Sequence, residues 1–90
     1  MFVYFVQNTE WIDNYGYRER FHRLYKEYKD AKEFINSYLE TLNENNSVKV
    51  NYESEDRDNI KKCYIISYSF DGFHNKTNKE RCTITLERLY

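Results

Sequence analysis

The sequence predicts an α+β fold in which one main helix, at about residues 28–44, packs on a four- to five-stranded, largely antiparallel sheet in the order β-β-α-β-β-β. The chain has a single strongly amphipathic stretch, Tyr17–Leu42, without Gly or Pro inside it. Segments rich in aromatic and β-branched residues lie on both sides of it. Ninety residues form one domain, 1–90, and such a domain buries only about 60–65% of the surface of its unfolded chain. We therefore expect a two-layer domain with one core and no deep, enclosed active site.

The first strand is predicted at Phe2–Val6, a continuous run of aromatic and β-branched residues. Because the run does not alternate with polar residues, it indicates a central strand that is covered on both faces. Turn-forming Asn, Asp and Gly residues then predict a loop at Asn8–Gly16. The apolar side chains of this loop, Trp11, Ile12 and Tyr15, either fold back as a lid on the core or are presented to a partner.

Tyr17–Leu42 allows two interpretations. As one long helix over 17–44, its apolar residues fall on one stripe at spacings of three and four residues. That stripe consists of Phe21, Leu24, Tyr25, Tyr28, Ala31, Ile35, Tyr38, Leu39 and Leu42. As a strand followed by a helix, aromatic residues alternate with charged ones up to Tyr25, and the helix begins near Tyr28. Asp30 then lies in the first turn, where the helix dipole favours negative charge.

The run Tyr-x-Asp-Ala-x-x-Phe-Ile at Tyr28–Ile35 favours the second interpretation. It resembles a junction that is common in small uncharacterised phage and mobile-element proteins, where an aromatic residue ends a strand and this run opens a helix. The Phe2–Val6 strand and the Tyr15-Gly16 loop are also similar to that group. The resemblance covers roughly the first half of the chain. It implies that the chain begins with the elements β-β-α, and it implies no particular activity.

The second half of the chain alternates apolar and polar residues in three further segments. An Asn-rich cluster, 43–46, ends the helix. Strands are predicted at Ser47–Tyr52, Ile60–Phe70 and Arg81–Leu89. In the first of these, Val48, Val50 and Tyr52 share one face.

The last two predicted strands form a hairpin whose simplest register places Tyr68 opposite Cys82. Cys63 then points to the opposite face from Cys82, so no disulfide is expected. One helix covers only one face of the sheet. The other face is predicted to display a mixture that includes Val3, Phe5, Cys63 and Ile65, and such a face tends to meet a target or a second subunit.

Composition argues against most kinds of chemistry. The 14 basic and 15 acidic residues give a net charge of −1, which fits neither a strongly cationic nucleic-acid binder nor an acidic DNA mimic. The soft metal ligands are His22, His74, Cys63 and Cys82, and no two of them have the spacing of a zinc site. Two glycines cannot build a Gly-rich phosphate loop. We therefore expect no metal, no cofactor and no enzymatic activity.

The apolar run near the N-terminus has no preceding positive charge and no small-residue cleavage site. Its five residues are far too few to span a membrane. The sequence therefore predicts a cytoplasmic protein with no membrane partner, in the host cell if a phage encodes it.

Ten Tyr, six Phe and one Trp exceed what a domain of this size can bury, so several aromatic side chains must lie at the surface. Exposed Tyr and Trp supply rigid contact area at protein interfaces. The predicted partner-binding anchors, all in or next to loops, are Trp11, Tyr15, Tyr17 and Phe73. The predicted nucleic-acid contacts, which lie beside tyrosines, are Arg18, Arg20 and Arg23. If 17–25 is a strand, Arg18, Arg20 and His22 line one face of it.

The favoured hypothesis is a small non-enzymatic binding protein that inhibits or occludes a protein or ribonucleoprotein target, with a homodimer as an alternative assembly. The resemblance to phage proteins implies an anti-defence role, of which anti-CRISPR inhibition is one instance. The alternative hypothesis is a nucleic-acid-associated regulator that uses the Arg/Tyr cluster.

Overall fold

The computed structural model describes residues 1–56, 63–72 and 76–89, and it has the predicted order of elements. The elements are β1 (Phe2–Ile12), β2 (Gly16–Tyr25), α1 (Tyr28–Asn45), β3 (Val48–Glu55), β4 (Tyr64–Asp71) and β5 (Thr77–Arg88). The prediction of an α+β fold with one main helix on an antiparallel sheet is confirmed.

The five strands form one sheet in the order β2-β1-β5-β4-β3, and every neighbouring pair is antiparallel. The two strands that flank the helix in sequence, β2 and β3, are the two edges of the sheet. The helix must therefore cross the sheet from one edge to the other. Its 18 residues give a length of about 27 Å, which exceeds the roughly 19 Å that separate the two edge strands.

The alternative of one long helix over 17–44 is wrong. Gly16–Tyr25 is strand β2, which pairs with β1, and the helix begins at Tyr28 as the strand-then-helix interpretation predicts. The helix ends in the predicted Asn-rich cluster. There the backbone N–H of Asn46 donates to the carbonyl of Leu42 at 3.0 Å, and Asn43 Oδ1 accepts the N–H of Val48 at 3.0 Å.

Strand β1 is longer than predicted: the chain turns at Asp13–Tyr15 and not from Asn8 onward. Asn8 has turn-forming character, but here it is buried and its amide is hydrogen-bonded inside the molecule. The turn itself contains Asn14 at φ 77° and is followed by Gly16 at φ 83°, in the left-handed region that these two residue types tolerate.

The other predicted strand limits also shift. β3 extends three residues past Tyr52 and β5 begins four residues before Arg81, because polar residues that suggested loops continue the pairing. β4 begins at Tyr64; residues 60–62 of its predicted range lie outside the described residues.

The core lies between α1 and one face of the sheet. Ala31 and Ile35 of the helix are fully buried. They belong to one cluster with Val6, Tyr64, Ile66, Tyr68, Cys82 and Ile84. Toward β2 the core is closed by aromatic rings: Phe21 lies edge-on to Phe34 at 6.0 Å and to Tyr38 at 5.4 Å between ring centroids. Offset and edge-on ring pairs of this kind add to the stabilisation from burial.

The predicted register of the last hairpin is wrong by two residues, since Tyr68 lies opposite Glu80 and not Cys82. A shift of two leaves every side chain on its predicted face. Cys63, predicted on the face away from the helix, precedes β4 and packs against the core cluster. Cys63 and Cys82 are both free thiols.

Candidate docking surface

The face of the sheet opposite α1 is not covered by any element in the described part of the chain. We call it the helix-free face and define it by cross-strand rows of side chains. One row is Glu19–Thr9–Arg81–Ser67–Tyr52 and the next is His22–Gln7–Thr83–Ile65–Ser54. The pair Tyr17–Trp11 lies beyond the first row, and Leu24–Phe5–Thr85 lies beyond the second. β1 is an interior strand, as predicted, but helix packing covers only one of its faces. On the other face, neighbouring side chains leave Val3 only 6% exposed and Phe5 half-buried.

An ordered aromatic group occupies one end of the helix-free face. Trp11 and Tyr17 are 45% and 42% exposed, and their rings meet edge to face at 5.3 Å. The indole Nε1–H of Trp11 donates to Asp13 Oδ1 at 3.1 Å. The guanidinium of Arg81 lies 4.0 Å from the centroid of the Tyr17 ring, within cation–π distance. These contacts fix the orientation of both exposed rings before any partner arrives.

The middle and the far end of the face are mixed in character. Phe5 packs its ring against His22 at 5.3 Å, and Leu24 remains 54% exposed. Glu19 accepts a hydrogen bond from the amide of Gln7 at 3.2 Å and lies 3.2 Å from His22 Nδ1. Small hydroxyl side chains fill most of the remaining positions on β4 and β5. The surface is therefore flat at its centre and bounded by aromatic side chains.

Two register shifts decide which side chains reach this face. The pairing of β2 shifts opposite Asn8 and Thr9, where Arg20 is an extra residue in the strand. The alternation of faces before Arg20 is therefore out of phase with the alternation after it. Arg18 and Arg20 therefore lie on the helix side while His22 lies on the helix-free face, and the prediction that all three share a face is wrong. A second shift, between Val50 and Tyr52, moves Tyr52 onto the helix-free face, away from the face of Val48 and Val50 that was predicted for it.

The three arginines predicted to contact nucleic acid make contacts within the chain. Arg18 pairs with Glu10 at 2.9 Å. Arg20 pairs with Glu80 at 2.7 Å and donates to the Tyr38 hydroxyl at 2.9 Å.

Arg23 stacks over the rings of Phe21 and Phe34 at 5.3 and 5.7 Å, and its Nη1 donates to the carbonyl of His22 at 2.8 Å. All three arginine side chains thus have partners on the helix side of the sheet.

The four predicted aromatic anchors fall in different places. Trp11 and Tyr17 are brought together, whereas Tyr15 occupies the hairpin turn and is 86% exposed. Trp11 does not act as a lid on the core, because it lies on the face of the sheet away from α1. Phe73 lies outside the described residues.

Comparison with known proteins adds nothing to these observations. No family model, curated protein or solved structure matches this chain. Within residues 1–56, 63–72 and 76–89, no three His, Cys, Asp or Glu side chains form a group that could hold a metal ion. No helix in the same residues is long and apolar enough to cross a membrane.

A buried polar cluster, which the sequence analysis missed, lies on the helix side of the sheet. Its centre is Glu80, only 4% exposed, whose carboxylate accepts hydrogen bonds from Tyr68 at 2.7 Å and Tyr38 at 3.1 Å. Asn8 also donates to it at 3.3 Å, and Arg20 supplies the balancing charge. A buried carboxylate surrounded by donors in this way is a structural feature.

The cluster lacks an activated nucleophile. Burial raises the pKa of the Cys82 thiol, although hydrogen bonds from Asn8 and Tyr68 act in the other direction. A thiol with a raised pKa stays protonated and unreactive near neutral pH. Burial also raises the pKa of Tyr68 and of Tyr38, so their phenols remain hydrogen-bond donors.

A cleft of about 450 Å³ borders the aromatic group. It is lined by residues 10–13, from the end of β1 and the following turn, and by residues 76–79, from the start of β5 and the residue before it. The cleft forms because the pairing of β1 with β5 ends at Glu10 and Glu80, beyond which the two strands follow different hairpins. Trp11 lines the cleft and also belongs to the helix-free face, so the two surfaces adjoin.

Two residues of this surface, Arg81 and Tyr52, were not singled out from the sequence. The position of Arg81 on this face could have been predicted, because the alternation of residues 81–86 places Arg81 on the opposite face from the apolar Cys82. The position of Tyr52 could not have been predicted, because the sequence alternates regularly through the register shift between Val50 and Tyr52.

Proposed function

We propose that this protein is a small non-enzymatic binding protein that acts by occluding a protein or ribonucleoprotein target, which docks on the helix-free face. The observation that carries the proposal is the pair of exposed, oriented rings of Trp11 and Tyr17. Trp, Tyr and Arg are the residues that dominate binding energy at protein interfaces. Here all three types meet in one group, with Arg81 stacked on Tyr17.

The size of the face supports this proposal. The molecule measures 45 × 29 × 20 Å. Its broad side therefore exceeds the roughly 800 Å² per partner that a standard protein interface buries. A target that used only part of the face could still form a specific complex.

An occluding role fits the chemistry of the described residues. In the described residues, hydrogen-bond donors enclose the buried carboxylate of Glu80, and burial raises the pKa of the neighbouring Cys82 thiol. The resemblance of Tyr28–Ile35 to phage and mobile-element proteins is the reason to propose an anti-defence target, with anti-CRISPR inhibition as one instance. As part of the same proposal, we place the protein in the cytoplasm of the host cell.

The test is affinity capture with the wild-type protein beside the double variant W11A/Y17A, followed by reconstitution of each candidate complex from purified components. We expect one target to bind the wild-type protein and to bind W11A/Y17A at least about thirtyfold more weakly, as loss of interface hot spots requires. A helix-side control, N36A/E40A, removes two exposed side chains and should bind like the wild type. Equal binding by W11A/Y17A would refute the proposal.

The anti-defence part has its own test. Expression of the wild-type protein in a CRISPR-immune host should restore plaque formation by the targeted phage, and W11A/Y17A should not. If neither protein restores plaque formation, anti-CRISPR inhibition is refuted. The capture experiment then decides the binding function by itself.

The alternative, a nucleic-acid-associated regulator, is supported less by the geometry. Arg18 and Arg20 pair with carboxylates, and a chain of net charge −1 has no long-range attraction for a polyanion. This alternative predicts a salt-dependent mobility shift of labelled nucleic acid that disappears when Arg18, Arg20 and Arg23 are replaced together. Absence of binding at low salt would exclude it.

A further inference from the structure

Arg81 differs from Arg18 and Arg20 of β2, because the described residues place no carboxylate within 4 Å of its guanidinium. Arg18 and Arg20 lie within 4 Å of glutamates. No ion pair to Arg81 is found in the described ranges, although the residue lies on β5, at the centre of the sheet. Its Nε–H is buried and has no hydrogen-bond acceptor there. A guanidinium without a carboxylate partner in the chain can gain charge-assisted hydrogen bonds when an external acceptor reaches its other nitrogens.

The Arg81 guanidinium is held in place by its surroundings. Tyr17 supports it from one side at 4.0 Å, and Tyr17 is in turn braced by Trp11 at 5.3 Å. The backbone at Arg81 is tied to β1, where the Thr9 hydroxyl donates to its carbonyl at 3.4 Å. Because Nε is buried, an incoming acceptor must approach the terminal Nη groups. Two parallel N–H donors on a fixed plane match the two oxygens of a carboxylate.

The charges around Arg81 favour an anionic ligand. Lys79 and Lys49 occupy positions in the adjoining cross-strand row, with Ser69 between them. The acid in the row of Arg81 is Glu19, which already contacts Gln7 and His22. Asp71 is on the same face but four residues along β4 from Ser67, or roughly 13 Å away. Arg81, Lys79 and Lys49 thus place three positive charges in two adjoining rows, and the acids Glu19, Asp71 and Asp13 lie at the margins of this area.

We propose that Arg81 is the anchor of the docking surface and that it binds a carboxylate on an acidic segment of the partner protein. This inference rests on the proposed function and adds the chemistry of the partner to it. Lys79 and Lys49 then favour further acidic residues on either side of the anchoring one. Trp11 and Tyr17 supply the apolar contact that surrounds the ion pair and excludes water from it.

A protein carboxylate fits this site better than the phosphates of a nucleic acid. Base stacking needs an accessible ring face, and Arg81 already covers one face of Tyr17. The rings of Trp11 and Tyr17 meet at an interplanar angle of 71°, so they do not form a continuous platform for successive bases. Three cations beside an overall acidic chain also give little of the long-range attraction that phosphate backbones require.

The first experiment observes the Arg81 side chain directly by NMR, following its Nε–H resonance during titration with short acetylated peptides. One peptide alternates aspartate with serine, and the matched control has asparagine in place of aspartate. We expect a saturable shift of the Arg81 resonance with the aspartate peptide alone. R81K keeps the charge but loses the planar pair of donors, and should bind the aspartate peptide about tenfold more weakly. R18Q removes one charge from the other face and should bind it like the wild type.

Several results would refute the proposal that Arg81 binds a partner carboxylate. These are an equal shift with the asparagine peptide, no shift with the aspartate peptide, or tighter binding of a single-stranded oligothymidylate than of the aspartate peptide. Dimerisation of the purified protein that R81Q abolishes would place a second copy, not a different partner, at Arg81 and would also overturn it.

The second experiment separates this inference from the function on which it rests. With the captured target, R81Q should weaken binding by at least about tenfold while R18Q leaves it unchanged. If W11A/Y17A loses the target and R81Q keeps it, the docking surface stands and the anchor is refuted. If W11A/Y17A also keeps the target, the docking surface itself is refuted.

Discussion

Glu80 is the residue on which the interior polar cluster depends. Four side chains direct donors at its carboxylate, from three strands and the helix: Asn8, Arg20, Tyr38 and Tyr68. Loss of Glu80 would remove the acceptor that all four donors share and would leave the charge of Arg20 without its buried partner. The cluster thereby links β1, β2, β4, β5 and α1 through one side chain.

Replacing Tyr68 by Phe tests the contribution of this cluster. Tyr68 is fully buried, and its hydroxyl donates to Glu80 at 2.7 Å and accepts from Asn8 at 3.1 Å. We expect the free energy of unfolding to fall by about 1–3 kcal/mol, the usual cost of leaving buried polar groups unpaired.

The control for this variant is Tyr15→Phe. It makes the same chemical change at an 86% exposed position, where about 0.5 kcal/mol or less is expected. Urea denaturation measures both variants. Equal effects at the two positions would show that the cluster contributes nothing to stability.

The buried tyrosines also predict how stability depends on pH. Burial raises the pKa of Tyr64 and of Tyr68 above the ordinary value of 10, and the hydrogen bonds to Glu53 and Glu80 act in the same direction. In the unfolded chain these phenols lose their protons near pH 10, while the folded state keeps them. Because the unfolded state then binds fewer protons, stability should be constant up to about pH 9 and fall as the pH rises through 10 and above.

Denaturation curves at a series of alkaline pH values, with phenolate absorbance as a second readout, measure this loss. Because burial raises their pKa, Tyr64 and Tyr68 should ionise only as the protein unfolds. The double variant Y64F/Y68F should show a shallower alkaline loss than the wild type. Stability that increased between pH 9 and 11 would contradict the assignment.

Single residues also explain where the sequence misled us. Asn8 belongs to a residue type that forms turns, yet the NH2 group of its side chain donates to Tyr68 and Glu80 inside the molecule, and β1 continues through it. Arg20 belongs to a row of basic residues that suggests a nucleic-acid surface, yet its partner Glu80 is 60 residues away in the chain. Pairings over such distances cannot be derived from local pattern alone.

At the scale of elements, α1 is the part that the sequence predicts best. Its stripe of apolar residues is confirmed where it faces the sheet, and it begins at the predicted Tyr28. The β2 segment was harder to predict. One extra residue in the strand interrupts its two-residue alternation, so its apolar residues are spaced as they would be in a helix. The same effect hides the face of Tyr52 in β3. Register shifts depend on the neighbouring strand, so one strand's own sequence does not reveal them.

Truncating the helix side chain at the centre of the core should have a large effect. Ile35 is fully buried between α1 and the sheet, so Ile35→Ala should lower the free energy of unfolding by about 2–5 kcal/mol.

Leu24→Ala serves as the control for this variant. It removes a side chain that is 54% exposed on the helix-free face and should cost about 0.5 kcal/mol. Chemical denaturation distinguishes the two variants. A cost at Leu24 as large as that at Ile35 would mean that the helix-free face is covered and not open.

At the scale of the whole molecule, the two faces of the sheet have different roles. One face carries α1, the apolar core and the polar cluster around Glu80. The other carries Trp11, Tyr17 and Arg81, whose mutual contacts orient exposed side chains without covering them. The number of layers follows from one helix and five strands, and so it was predictable from the sequence. Which aromatic residues reach the open face was only partly predictable, because it depends on the register of all five strands.

The central claim is that binding occurs on the helix-free face, and the most direct test compares the two faces in one calorimetric titration series. The captured target is titrated into the wild-type protein, W11A/Y17A and the helix-side variant N36A/E40A, after denaturation curves have shown that all three are folded. We predict that W11A/Y17A raises Kd at least about thirtyfold while N36A/E40A changes it by less than about twofold. A large loss of affinity in N36A/E40A, with wild-type affinity in W11A/Y17A, would place the target on the helix and contradict the account.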